Sequence, residues 1–209
     1  MLETTAARVI ARSTKLFTGG TAHWKGCRPE NRQRIFVANH TSHLDFVLLW
    51  AMLPAEVRRR TRPVAAADYW DRGVVRRYLA RRVFRAILVR RGGTRDPREP
   101  DPMLEALQHG DSLILFPEGT RGDGGQLLAF KSGVFHLAAA RPEAEVIPVW
   151  LNNLHRAMPK GAFLIAPMIC SANFGEPVGI AANESKQQFL ARLQDAVLDL
   201  ARVAPRAEK

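Results

Sequence analysis

The run Asn39-His40-Thr41-Ser42-His43-Leu44-Asp45 sets an imidazole and a carboxylate five residues apart. On a regular helix that spacing puts two side chains about 140° out of register, so His40 and Asp45 can meet only if a helix begins between them. Ser42 is a suitable N-cap for that helix, which leaves His40 on the preceding loop and Asp45 in the first turn. There the carboxylate can hold the ring N–H, fix the tautomer and leave the other nitrogen as a general base, an arrangement that activates an alcohol. The same residues have simpler uses. Ser42 and Asp45 fit an S-x-x-D capping pattern, and His40, His43 and Asp45 are metal-ligand types, although no H-E-x-x-H spacing or further ligand cluster accompanies them.

A second constellation follows about 70 residues later: Phe116-Pro117-Glu118-Gly119-Thr120-Arg121, then Gly122, Gly124 and Gly125, then Phe130-Lys131-Ser132-Gly133. A loop this rich in glycine brings backbone N–H groups close to an anion, Arg121 can grip a phosphate bidentately, and Glu118 can accept hydrogen bonds from a polyol. An ordinary solvent loop with a Glu118–Arg121 pair explains the stretch equally well on its own.

Both constellations lie after short apolar runs, and binding clefts of open α/β sheets form at the carboxyl ends of strands. Strands are expected at 34–38, 64–67, 87–89, 112–116, 146–151 and 162–169, and helices at 2–17, 42–53, 69–85, 101–109, 132–140 and 184–203. Gly19-Gly20 closes the first helix and Pro54 the second. Short buried strands alternating with helices predict an α/β fold: one domain over 1–209, with a central, mostly buried mixed sheet flanked by helices. Residues 1–33 form an N-terminal amphipathic helix and linker, 34–151 the core that bears the motifs, and 152–209 C-terminal strands and a helix. The N-terminal helix sets Leu2, Ala6, Val9, Ile10 and Leu16 against Arg8, Arg12 and Lys15.

The charge is concentrated. Fourteen arginines and three acids lie between Arg58 and Arg98, which accounts for the whole formal net charge of +11, while the other 168 residues carry 17 basic and 17 acidic groups. A solvated face could carry such charge, but its concentration points to a polyanionic partner, either anionic lipid headgroups, phosphorylated substrates or nucleic acid. In the helix expected near 69–85, Val75, Leu79 and Val83 should pack on the sheet and leave Arg72, Arg76, Arg77, Arg81 and Arg82 outside. The longest apolar run, Phe46 to Leu53, is eight residues, against roughly 20 for a membrane-spanning helix. Neither a transmembrane helix nor a signal peptide is expected, which implies a cytoplasmic protein peripheral to the membrane. Cys27 and Cys170 form no framework or metal motif and read as reduced thiols.

The ordered pair of Asn39-His40-x-Ser42-x-x-Asp45 and Phe116-Pro117-Glu118-Gly119-Thr120-Arg121 resembles the glycerolipid acyltransferases, the family that includes 1-acylglycerol-3-phosphate acyltransferases. Ile87-Leu88-Val89-Arg90-Arg91 is similar to the family's apolar strand ending in arginine, and Val146-Ile147-Pro148-Val149 to its Val-Pro-Val strand; Phe130-Lys131-Ser132-Gly133 also matches the segment after the glutamate motif. The resemblance covers about 34–151. It departs at Arg90, where the family commonly has an acid, so that Arg90, Arg91 or both would hold the acceptor phosphate. The resemblance implies an O-acyltransferase in which His40 and Asp45 are catalytic, and Arg91, Glu118, Gly119, Thr120 and Arg121 bind a lysophospholipid acceptor. The donor would be acyl-CoA or acyl carrier protein, no metal or other cofactor would be used, and an anionic membrane surface would be the partner. A transacylase drawing its acyl chain from another phospholipid is the nearest alternative. A basic nucleic-acid-binding protein would account for the charge, but the arginine segment lacks the aromatic interleaving that base stacking needs, and both motifs would be left unexplained.

Overall fold

The computed structural model describes residues 2–42, 44–90, 100–122, 126–153 and 170–203. Helix α1 (Leu2–Thr18) leads into strand β1 (Thr21–Trp24), followed by β2 (Arg34–Ala38), α2 (Asp45–Met52), α3 (Ala55–Arg59), β3 (Thr61–Ala66), α4 (Ala67–Trp70) and α5 (Val74–Tyr78). A single π-helical turn (Leu79–Val83) then precedes β4 (Ile87–Val89), α6 (Pro102–Gln108), β5 (Ser112–Leu115), α7 (Gly133–Ala140), β6 (Glu145–Asn152), β7 (Ser171–Phe174) and α8 (Lys186–Val203). The strands form one seven-stranded sheet in the order β1-β7-β6-β2-β5-β3-β4. Every pairing is parallel except β6 with β7, so the sheet is mixed as expected.

The period-2 alternation of strands divides the core into two layers. Phe36 and Ala38 of β2, with Ile114, Ile147 and Val149, face α1 and α2. Ile35 and Val37, with Leu113, Leu115 and Val146, face α6, α7 and α8. Because both faces are covered, β2 is buried at all five positions, as a central parallel strand should be. Helix α2 is also buried at every residue, Asp45 included, so α1 forms a second layer over it and leaves Leu2 (83% exposed), Val9 (57%) and Leu16 (80%) facing out.

Several expectations are corrected. The helix expected from Ser42 begins at Asp45 instead, with Leu44 in the cap position and no side-chain cap hydrogen bond. The basic helix expected over 69–85 is broken into α4, α5 and the π turn. Gly73, at φ +75°, separates the first two, a conformation in which glycine carries no Cβ penalty. The break rotates α5 away from the sheet, so Val75 is 71% exposed rather than packed, while Val83 is buried as expected. Strands β1 and β7 and helix α3 were not expected at all, and the strand expected at 162–169 lies outside the described residues. Among the described residues, no helix is long and apolar enough to cross a membrane.

Candidate active site

Strand β2 ends at Ala38, and the chain turns at once through Asn39 and His40 into α2. His40 Nδ1 lies 2.8 Å from Asp45 Oδ2. The same oxygen accepts the backbone N–H groups of Thr41 (2.5 Å) and Ser42 (2.8 Å). Three donors thus converge on one oxygen of a fully buried side chain, and a carboxylate oxygen in that position accepts a hydrogen bond from the imidazole Nδ1–H. Nε2 is then the nitrogen available for chemistry. Thus Asp45 itself gathers the N–H groups that a cap would satisfy, and Ser42 does not act as the N-cap. His43 lies outside the described residues, and among those described no group of three or more His, Cys, Asp or Glu side chains could hold a metal ion.

The loop after β5 closes on this turn from the other side. The His40 ring stacks on Phe116 with centroids 4.5 Å apart. Glu118 is buried, and its two oxygens are engaged separately: Oε1 accepts from His40 N (2.6 Å) and Oε2 from Leu128 N (2.9 Å). The N–H of Gly122 returns a bond to the His40 carbonyl at 2.8 Å. Burial pushes the Glu118 carboxyl above its ordinary range, opposed by the hydrogen bonds from Leu128 and His40 and by His40 itself. Glu118 was expected to face a polyol. In the structure its oxygens tie the loop after β5 to the backbone of His40, across 78 residues of sequence.

Of the other residues expected in the site, Gly119 turns at φ +69°, Thr120 is exposed and Arg121 is half-buried beside Gly122. Arg90 is exposed at the carboxyl end of β4; Arg91 lies outside the described residues. A Cβ at Gly119 would fall 2.4 Å from Lys131 Nζ, so this glycine makes room for the lysine as well as for the turn. Lys131 was not singled out from sequence as a site residue, nor was Asn39. Asn39 clamps β2 to β6 by donating Nδ2–H to the Leu151 carbonyl (3.1 Å) and accepting the Leu151 N–H on Oδ1 (2.7 Å).

His40 stands on the wall of a cavity of about 280 Å³ bounded mainly by apolar side chains, among them Phe46, Tyr69, Trp70, Val89, Phe116 and Leu137, with Lys131 and Gly119 also lining it. This is close to the lower end of ligand-site volumes, roughly 300–1,000 Å³. Apolar wall residues read from sequence only as core, because nothing in their type distinguishes a lining from a filling. A second, smaller cleft of about 30 Å³ meets His40 from the polar side, between Glu118, Gln126, Asn152 and Asn153. Neither cysteine lines either space. Cys170 is fully buried, and its thiol is pushed up to about 11 by burial and by the nearby Asp45 charge. It stays protonated and inert near neutral pH.

The sequence and fold that carry this site have known relatives. The family model described as Acyltransferase matches residues 22–152. A 1-acyl-sn-glycerol-3-phosphate acyltransferase of Limnanthes alba is 27% identical over 160 residues, covering 74% of this chain and 53% of that protein. A lyso-ornithine lipid O-acyltransferase of Brucella abortus is 33% identical over 147 residues, covering 68% of this chain and 49% of that protein. The chain thus spans about half the length of the curated relatives it matches. The crystal structure of the 1-acyl-sn-glycerophosphate acyltransferase PlsC from Thermotoga maritima superposes with a TM-score of 0.72 at 22% identity, covering 98% of this chain and 84% of that one, and shares its fold.

Proposed function

We propose, from the premise that this chain belongs to the acyltransferase family, that it moves a fatty acyl group from a thioester, acyl-CoA or acyl carrier protein, onto the free hydroxyl of a lysophospholipid. The observation that carries this reading is the His40–Asp45 pair on the wall of a mainly apolar cavity. The acyl chain occupies the cavity and brings its carbonyl to the His40 side. His40 Nε2 takes the hydroxyl proton as the acceptor oxygen attacks the carbonyl carbon, and the carbonyl electron pair moves onto oxygen. Asp45 stabilises the imidazolium that forms. As the tetrahedral intermediate collapses, the carbon–sulfur bond breaks and the imidazolium proton passes to the leaving thiolate, which restores neutral His40. Lys131, on the same cavity wall, supplies a cation for the developing oxyanion.

No covalent acyl-enzyme is needed, because neither cysteine reaches the cavity and Ser42 lies buried under the loop. The acceptor is a 1-acylglycerol-3-phosphate or a close relative of it, its phosphate bound by Arg121 and Arg91, and the chain works at an anionic membrane surface. Purified protein incubated with acyl-CoA and a panel of 1-acylglycerol-3-phosphate, lysophosphatidylcholine and lyso-ornithine lipid tests both donor and acceptor by release of free thiol. Thiol release with the phosphate acceptor is expected. Acylation that proceeds only when a diacyl phospholipid replaces acyl-CoA would make the chain a transacylase.

A further inference from the structure

A second cavity lies at the opposite end of the sheet from His40. It occupies about 190 Å³ between α1, the segment around α3 and the end of the π turn, and it shares no lining residue with the catalytic cavity. Its walls include Thr61, which opens β3, and Phe84 and Arg85, which lead into β4. A six-residue strand at about 3.3 Å per residue puts it roughly 20 Å from the ends of the strands that carry the acyl-transfer site.

Five arginines line it, Arg8, Arg58, Arg59, Arg82 and Arg85, and among the described lining residues Glu3 is the only acid. Glu3 is a distant partner to Arg82 at 3.9 Å; Arg59 and Arg85 pair outside the cavity with Glu56 and Asp111. Arg8 and Arg58 have no carboxylate partner among the described residues. Arg58 is nevertheless fixed in place: its Nη1 donates to the Leu53 carbonyl at 3.2 Å, and its guanidinium lies 5.1 Å from the centroid of the Trp50 ring. It stands half-buried beside the positive charge of Arg59, and burial together with that charge presses its pKa down. Lys15 is pressed the same way by burial and by Arg58. A held, partly desolvated cation among like charges favours an anion beside it.

We propose that this cavity binds the phosphate of an anionic glycerophospholipid, with Arg58 and Arg8 as its principal ligands. The lipid source, rather than free phosphate, follows from α1. The helix that supplies Arg8 also exposes Leu2 and, one residue after Arg8, Val9, so apolar surface for an acyl chain is carried on the same helix as the cation, as in interfacial helices with basic polar faces. The site is independent of acyl transfer and would hold its lipid even in a catalytically dead protein.

The test is thermal unfolding of the full chain in its His40→Ala form, so that turnover cannot consume the probe. The probes are dispersed dihexanoylphosphatidylglycerol, dihexanoylphosphatidylcholine and inorganic phosphate, each at matched ionic strength. Phosphatidylglycerol should raise Tm by about 2–4 °C at several-fold excess over its Kd, and the zwitterionic lipid should do far less. Adding Arg58→Gln should remove that shift. Arg8→Gln, on an exposed helical position where folding is not at stake, should at least halve it, while Arg202→Gln at the far end of the chain should not change it. An equal shift in the Arg8→Gln and Arg58→Gln proteins would overturn the site. A shift with inorganic phosphate but none with phosphatidylglycerol would overturn the lipid assignment.

Discussion

The two ends of the sheet bring charge to the backbone in opposite ways. At the carboxyl end the buried charges are acids, and they collect backbone N–H groups: Asp45 those of Thr41 and Ser42, Glu118 those of His40 and Leu128. At the amino end arginines, of which Arg34 is buried and the others part-buried or exposed, collect carbonyls, and the buried Asp111 there pairs with Arg62 and Arg85. Arg34 donates to Arg28 O, Arg62 to Arg85 O, Arg85 to Arg59 O, Arg60 to Gly110 O and Arg58 to Leu53 O. The polarity of the fold accounts for the difference. Helices of a parallel α/β unit start near the carboxyl ends of strands, where N–H groups are unpaired, and finish near the amino ends, where C=O groups are unpaired. The charge at each end therefore suits the backbone it meets. What separates a site from a scaffold is which charged residue also faces an open space, and at the carboxyl end Asp45 reaches that space through His40.

The sharpest way to break this comparison is at the dyad. His40→Ala should lower kcat by about 10²–10⁴ and also lower stability in urea unfolding, because the buried Asp45 loses one of its three donors. Asp45→Asn should cost a similar factor by favouring the wrong tautomer, and it should also lower stability, since a neutral amide accepts more weakly from Thr41 and Ser42. Steady-state kinetics on folded protein would decide it. A His40→Ala enzyme retaining more than a tenth of wild-type turnover would remove the base from the mechanism.

Glu118 tests whether a charged motif residue at the same end can be mainly architectural. Glu118→Ala leaves two backbone N–H groups without their acceptor and should cost about 2–4 kcal/mol in urea unfolding. Its pH dependence has a definite sign. Because burial raises the folded pKa above the unfolded value, the folded state binds more protons, so this group's contribution is fully present below the unfolded pKa and is lost as pH rises through the folded one. Subtracting the stability-versus-pH curve of Glu118→Gln from that of wild type isolates this slope. A difference curve that rises with pH would reverse the assignment. If Glu118→Gln raised only the acceptor KM and left stability unchanged, the polyol-binding expectation would return.

How much of this could be read from sequence divides along the same line. The apolar strands β2, β4, β5 and β6 were legible because a buried strand is apolar along its length, and the His40–Asp45 pair because its five-residue spacing allows a meeting across a helix start and the resemblance singles it out over capping or metal binding. Strands β1 (Thr-Ala-His-Trp) and β7 (Ser-Ala-Asn-Phe) carry no such pattern. Their order comes from pairing with each other, and from Trp24 stacking on Phe174 at 3.9 Å. The Glu118-to-His40 bond and the Asn39 clamp to Leu151 join residues 78 and 112 apart, and local spacing holds no trace of either. The arginine segment read as one charged unit, whereas packing divides it. Arg58, Arg60, Arg62 and Arg85 bind carbonyls at the amino end, and only the α5 region keeps exposed cations beside exposed Val74 and Val75.

That division makes the smallest effects informative. Arg34 is 2% exposed at the side chain and bonds Glu145 at 2.9 Å and the Arg28 carbonyl at 2.7 Å. Arg81 is 57% exposed and meets Asp71 at 3.1 Å, with Arg77 a more distant second partner of the same acid at 3.7 Å. Both would count as one ion pair in a census, yet the first organises buried backbone while the second holds two solvated side chains together. Arg34→Gln should therefore cost about 1–3 kcal/mol, because the Arg28 carbonyl and Glu145 lose a charged donor, and 0.5 M salt should not abolish the loss. Arg81→Gln should change stability by less than about 1 kcal/mol, shrinking towards zero in the same salt, since screening acts within a few ångströms there and Arg77 remains to partner Asp71. Urea unfolding of the two variants at low and high salt makes the comparison. Equal losses would mean that the arginines of this chain act through net charge alone, and the contrast between a buried amino end and a solvated α5 surface would have to be abandoned.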